Sequence, residues 1–113
     1  NSDWDESYGG GLELWNKNMT QCVKSIEPKF NRAVIFNTTD ISYHGHPSPL
    51  MCPEDKCRKS LAWYYLTKPQ ENVSQRYRAK FVARPSDPKD SKIEKFRKDR
   101  SELSNTKKLF DIE

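Results

Sequence analysis

The clearest structural signal in this chain lies near its N-terminus and reads Gly9-Gly10-Gly11-Leu12-Glu13-Leu14-Trp15. Apolar and polar side chains alternate from Leu12 to Trp15, which is typical of a half-buried β-strand. The residues that follow, Asn16-Lys17-Asn18, have the composition of a turn. We therefore predict a strand that follows a glycine tract and ends at a turn.

Further short β-type segments follow, separated by turns rich in Gly, Pro and Asn. They are Cys22–Ile26, Arg32–Phe36, Ile41–His46, Arg58–Thr67 and Arg76–Ala83. The segment that begins at Arg58 is the strongest of them because it is rich in aromatic residues and lies between a Pro-rich loop and a proline. Several short strands at close spacing predict a mainly β fold, a sandwich or a barrel, rather than alternating βαβ units.

Three large aromatic side chains lie in these predicted strands: Trp15, Trp63 and Tyr64. Such side chains in a strand most often pack in a core, and in a barrel they would form its wall. We therefore expect these three residues to be buried.

The last third of the chain is highly charged, with both signs mixed along it. This pattern is typical of a solvated helix, and we predict one over about residues 89–104, with Asp90 or Ser91 as its N-cap. The chain is accordingly divided into a β-rich domain at 1–84 and a charged, partly helical tail at 85–113.

Length and charge limit the possible classes of protein. The chain has 113 residues, enough for one domain, with a hydrophobic share of 34% and a formal net charge of +4. Residues 1–68 are neutral overall, so the excess of positive charge lies in residues 69–113, which include the tail. Acidic residues interrupt that tail, which argues against a nucleic-acid partner, and no apolar run approaches the ~18 residues of a membrane span.

The cysteines give an indication of the compartment. There are three, Cys22, Cys52 and Cys57, an odd number and too few for a disulfide scaffold. A reducing environment fits this pattern, and we expect a cytoplasmic protein.

The residues best suited to chemistry lie in Ser42-Tyr43-His44-Gly45-His46-Pro47 and in Arg58-Lys59-Ser60. Residues two apart on a strand share a face, so His44 and His46 can point the same way, as can Arg58 and Ser60. A neutral imidazole is a good ligand for iron or zinc, and a guanidinium beside a hydroxyl can bind a carboxylate. The alternative is that the histidines are surface turn residues and that Arg58 merely opens a strand.

A zinc module is a second possibility, with His44, His46, Cys52 and Cys57 as the four ligands. The ligand types suit tetrahedral zinc, but the spacing lacks the Cys-x₂-Cys knuckle and crowds all four ligands into one loop.

Taken together, the order and spacing of these pieces resemble the C-terminal half of an iron(II)- and 2-oxoglutarate-dependent oxygenase of the prolyl 4-hydroxylase-like group. The resemblance covers Trp4 to Thr67. It is carried by Asn1-Ser2-Asp3-Trp4, by the glycine tract with its strand, by Asn31-Arg32-Ala33-Val34-Ile35-Phe36-Asn37-Thr38, by Ser42 to Pro47 and by Arg58-Lys59-Ser60-Leu61-Ala62-Trp63-Tyr64-Tyr65.

The resemblance implies a double-stranded β-helix, or jelly roll, that binds Fe(II) through a His-x-Asp/Glu pair and a distal histidine. The distal histidine matches His44, with His46 as the alternative, and the arginine that binds 2-oxoglutarate matches Arg58, with Ser60 beside it. Such an enzyme uses O₂, and in some cases ascorbate. It converts 2-oxoglutarate to succinate while it hydroxylates a C–H bond of a prolyl peptide or a small molecule.

The chain departs from the family pattern in one respect: it contains no His-x-Asp or His-x-Glu. In the family this motif precedes the glycine-rich strand. We therefore expect an incomplete jelly roll that is inactive by itself and leaves an apolar face for another segment, or for a second copy in a homo-oligomer, to cover. The competing interpretation is a non-catalytic jelly-roll binding module, and a His-x-Asp upstream of Asn1 would distinguish the two.

Overall fold

The structure is a computed structural model that describes residues 3–65, 68 and 79–102. The chain divides into two compact units, Asn1–Glu71 and Asn72–Glu113. Within the described residues, the first unit contains a small sheet and the second contains one α-helix. The predicted assignment of an oxygenase domain to 1–84 and a tail to 85–113 stays a prediction.

A three-stranded antiparallel sheet organises the first unit, with β1 (Leu12–Trp15) in the centre, β2 (Cys22–Ile26) on one side and β3 (His44–Gly45) on the other. The predictions of β1 and β2 are confirmed to the residue. A bulge lies between Leu14 and Trp15, where the pairing with β2 shifts register. This sheet and the helix of the second unit fit a mainly β fold, and the jelly roll stays a prediction.

The turn between β1 and β2 is closed by one side chain. The Oδ1 atom of Asn16 accepts a hydrogen bond of 2.9 Å from the backbone N–H of Thr20, and the Asn16 N–H donates to the carbonyl of Gln21 at 3.0 Å. Asparagine favours such turns because its short side chain can bond to nearby backbone. The predicted turn after β1 is confirmed.

Two predicted strands are absent from the described residues. The segment Arg32–Phe36 and the described part of Arg58–Thr67 contain no strand, and Ile41–His46 pairs only through β3. The first three residues of the predicted strand Arg76–Ala83 lie outside the described residues, and its last five are not a strand. High strand propensity is not sufficient in these segments, since a strand also needs a neighbour to which its backbone can bond.

Burial in the described residues is slight. No apolar side chain there is fully buried, and Gly10 is the only buried residue. The expectation that Trp63 and Tyr64 pack in a core is wrong, since they are 76% and 78% exposed; Trp15, on the central strand, is partly buried. The other highly exposed apolar side chains of the first unit are Val23, Phe30, Ile35, Ile41, Met51, Leu61 and Tyr65.

The second unit contains the helix α1, Ser91–Ser101. It begins where predicted, because the carboxylate of Asp90 accepts hydrogen bonds from the N–H groups of Lys92 and Ile93, the N-cap arrangement. The last two residues of the predicted helix lie outside the described residues. Within the described part of the chain, no helix has the length and apolar character needed to cross a membrane.

Candidate functional site

Arg58 is held against the start of the sheet. Its Nε–H donates a hydrogen bond of 2.6 Å to the carbonyl oxygen of Gly10, which lies two residues before β1. Its Nη1 lies 3.5 Å from the hydroxyl oxygen of Ser60, at the long limit of a hydrogen bond. The structure therefore brings together the two residues that the sequence pairs, although the segment that carries them is not a strand.

A guanidinium has five N–H donors in a rigid plane. With Nε–H bonded to Gly10, the edge formed by Nη1 and Nη2 remains suited to a carboxylate, which can accept two parallel hydrogen bonds from it. The Ser60 hydroxyl, next to that edge, can act as a further donor. The geometry of this pair fits one carboxylate group of a dicarboxylate.

His44 lies in β3, directly opposite Leu14 of β1. Its Nδ1 is 2.8 Å from the carbonyl oxygen of Ser42, and its ring meets that of Phe36 edge-on, with centroids 4.8 Å apart. A carbonyl only accepts hydrogen bonds, so the geometry assigns the proton to Nδ1 and leaves a lone pair on Nε2. This is the arrangement that orients a metal-binding imidazole.

His46 lies beyond the end of β3 and is exposed. It borders the cavity near the glycine tract, with a volume of about 440 Å³, and His44 does not. The two histidines therefore do not share one site. The full set of residues around the cavity is Trp4, Asp5, Glu6, Gly9, Gly10, Gly11, Glu13, Ser25, Glu27, Pro28, Lys29, His46 and Ser48.

The cavity and the Arg58 contacts share one residue, Gly10, and otherwise differ. In the sheet, Glu13 pairs with Ser25 and Gly45, and Leu14 pairs with His44. Paired residues share a face and successive residues alternate, so Glu13 and Ser25, which border the cavity, lie on the face opposite His44. Arg58 does not border the cavity either. The contacts of Arg58 and His44 are specific, whereas every residue that borders the cavity except Gly10 is at least partly exposed.

The cavity is acidic in character. The pKa of Glu27 lies below its ordinary value because Lys29 donates a hydrogen bond to its carboxylate and adds a positive charge beside it. The pKa of Asp5 is lowered in the same way by hydrogen bonds from the hydroxyl and the N–H of Ser7. Both carboxylates are therefore ionised at neutral pH. Negative charge around the cavity does not favour a dicarboxylate there.

The described residues do not assemble a complete metal centre. Among residues 3–65, 68 and 79–102 no group of three or more His, Cys, Asp or Glu side chains is placed to hold a metal ion. The zinc arrangement is not formed: the Cys52 thiol donates to the carbonyl of Lys56 at 3.5 Å, and Cys57 is exposed. For iron, His44 fits as one ligand.

Two contacts of the candidate site cannot be predicted from the sequence. They are the carbonyl oxygens of Gly10 and Ser42, which orient Arg58 and His44. A backbone carbonyl carries no signature in the sequence, although the glycine tract itself is a sign of unusual backbone. Gly10 has a φ of +75°, a value that favours glycine.

Comparison with known proteins identifies a protein family and curated relatives that are similar to this chain. The sequence profile of the 2OG-Fe(II) oxygenase superfamily matches residues 1–72. The mouse (Mus musculus) protein named prolyl 3-hydroxylase OGFOD1 is 34% identical over 74 residues, which cover 58% of this chain and 13% of the mouse protein. The chain thus spans a small part of that relative's length, and no solved structure matches it. Since the profile covers well over half of its residues, the chain belongs to the 2OG-Fe(II) oxygenase superfamily.

Proposed function

We propose that this chain supplies the 2-oxoglutarate-binding arginine and the distal histidine of an Fe(II)- and 2-oxoglutarate-dependent hydroxylase. The observation that carries the proposal is the guanidinium of Arg58, bonded through Nε to Gly10 and adjacent to the Ser60 hydroxyl. By analogy with the mouse relative, whose name describes a prolyl 3-hydroxylase, the substrate is a prolyl residue.

In this proposal each side chain has one task. Arg58 binds the distal carboxylate of 2-oxoglutarate through its Nη1–Nη2 edge, and Ser60 donates to the same carboxylate. His44 offers Nε2 to iron, while the Ser42 carbonyl holds its ring through Nδ1. Iron, when bound, would supply the chemistry by which O₂ is consumed, with one oxygen atom entering the hydroxylated substrate, the other entering succinate, and CO₂ leaving from 2-oxoglutarate.

Iron needs more ligands than the described residues provide. His44 is one, and the rest of the facial set must come from elsewhere, since the sequence has no His-x-Asp or His-x-Glu. The part of the proposal that this chain can test by itself is therefore the binding of 2-oxoglutarate at Arg58, without turnover.

The first prediction concerns that binding. In a metal-free NMR titration with 2-oxoglutarate, Arg58→Gln should weaken the affinity about tenfold or more, since a hydrogen bond to a charged group contributes about 1.5–3 kcal/mol. Lys17→Gln removes the same charge from the β1–β2 turn and is the matched control. Equal affinities for Arg58→Gln and wild type would remove the basis of the proposed function.

A further inference from the structure

We propose that Gly10 is a positioning residue for Arg58, acting both through its carbonyl oxygen and through its lack of a side chain. The proposal rests on the proposed function, because it gives Gly10 the task of aiming the guanidinium that binds 2-oxoglutarate. Gly10 makes no contact with the co-substrate in this account; its effect is transmitted through Arg58.

The carbonyl contribution follows from the hydrogen bond of 2.6 Å between Arg58 Nε and Gly10 O. A short bond with a charged donor is among the stronger hydrogen bonds in proteins. Because Nε lies in the guanidinium plane, bonding it to a fixed acceptor restricts rotation of the whole plane. The Gly10 carbonyl thereby occupies the Nε side of the guanidinium, and the Nη1–Nη2 edge stays available to bind the carboxylate.

The steric contribution is equally specific. A Cβ atom at Gly10 would lie 2.9 Å from Cδ and 3.4 Å from Nε of Arg58, and 2.7 Å from Cδ2 of Leu50. Distances under 3.0 Å essentially do not occur for real Cβ atoms, so any side chain at residue 10 must displace Leu50 and the stem of Arg58. Gly10 is the only buried residue among those described, and both atoms that a Cβ would displace belong to side chains, of which Leu50 is 37% exposed.

The neighbouring glycine provides a matched control. Gly9 has a φ of +69°, close to the +75° of Gly10, so an alanine at either position must adopt a positive φ. At Gly9, however, the nearest atom to an added Cβ is the carbonyl oxygen of Pro49, at an ordinary 3.7 Å. The difference between the two alanine variants therefore reports the displacement of Arg58 and Leu50, without the contribution of strained φ.

The same experiment must distinguish the effect of displacing Leu50 from the effect of displacing Arg58. The double variant Gly10→Ala, Leu50→Ala removes the shorter of the two clashes and keeps the one with Arg58. If Gly10 acts on Arg58, trimming Leu50 does not restore the orientation of the guanidinium.

The test follows the Arg58 Nε–H signal by NMR and the affinity for 2-oxoglutarate in metal-free protein. We expect a hydrogen-exchange-protected Nε–H in wild type and in Gly9→Ala, and loss of that protection in Gly10→Ala and in the double variant. The affinity for 2-oxoglutarate should fall about tenfold in Gly10→Ala relative to Gly9→Ala. The amide signals of β1 and β2 show whether each variant keeps its sheet.

The inference would be overturned if Gly10→Ala kept a protected Nε–H and bound 2-oxoglutarate as tightly as Gly9→Ala. So would an unprotected Arg58 Nε–H in the wild-type chain, a result that needs no variant. If Arg58→Gln leaves the affinity unchanged, the proposed function fails, but the exchange data still decide whether Gly10 positions Arg58. The two failures are thus distinguishable.

Discussion

Single residues of the candidate site are oriented by backbone carbonyls. Gly10 O accepts from Arg58, and Ser42 O faces Nδ1 of His44. A carbonyl cannot donate, so the Ser42 contact assigns the proton of the neutral His44 ring to Nδ1. The Gly10 contact uses the Nε–H of Arg58 and leaves its Nη1–Nη2 edge for a ligand. The two side chains suited to bind 2-oxoglutarate and iron are thereby oriented before either ligand arrives.

His44 gives the prediction at this scale. In the neutral imidazole, at about pH 8, we expect the proton on Nδ1, because the Ser42 carbonyl lies 2.8 Å from that nitrogen. Long-range ¹H–¹⁵N correlations distinguish the two ring nitrogens directly. His46 provides a reference in the same spectrum. A His44 ring protonated on Nε2 would show that its lone pair points to the carbonyl, and His44 would lose its place as the metal ligand.

At the scale of elements, ion pairs join the turn at residues 84–87 to the helix α1 that follows it. The Asp87 carboxylate accepts hydrogen bonds from the backbone N–H of Arg84 at 3.0 Å and from its side-chain Nε at 2.7 Å. Arg97 of α1 adds a contact of 3.1 Å to the same carboxylate. These bonds lower the pKa of Asp87 below its ordinary value, with the Arg84 N–H the largest cause. Asp87 therefore links the 84–87 turn to the helix.

The pH dependence of α1 follows from this link. Folding lowers the pKa of Asp87, so its ionised carboxylate stabilises the folded unit. This stabilisation is complete above the ordinary Asp pKa of about 3.9 and is lost as the pH falls through the lowered pKa. We expect the helical ¹³C shifts of Ser91–Ser101 to decrease below about pH 4. In Asp87→Asn we expect smaller helical ¹³C shifts than in the wild type at pH 6, and a smaller change in those shifts on acidification. An identical acid response in both proteins would contradict the role of Asp87.

Prediction from the sequence succeeds where local chemistry decides the element. The alternation of Leu12–Trp15 and the carboxylate of Asp90 are local signals, and β1 and α1 start where these signals place them. The prediction fails for Arg32–Phe36 and for the described part of Arg58–Thr67, because a strand needs a neighbouring strand to pair with, and the local sequence does not show whether one is present. The Arg58–Ser60 pairing is nevertheless correct, since two residues of separation keep the side chains close without a strand.

For the whole molecule, the main feature is the lack of a buried apolar core in the described residues. Burial of apolar surface is the dominant favourable contribution to folding, at roughly 25 cal/mol per Å². With Ile35 and Tyr65 both 89% exposed, this contribution is small in the first unit. Coverage of these side chains by a second copy or another segment stays a prediction.

The first unit presents two places where a dicarboxylate can be sought, the Nη1–Nη2 edge of Arg58 and the cavity bordered by Trp4 and Glu27. We expect 2-oxoglutarate at Arg58, because that edge is cationic and the cavity is acidic. Intermolecular NOEs from ¹³C-labelled 2-oxoglutarate to the assigned, metal-free chain distinguish the two directly. We predict NOEs between the C4 methylene, next to the distal carboxylate, and the δ-protons of Arg58. NOEs to Trp4 and the Glu27 side chain, with none to Arg58, would contradict the central claim.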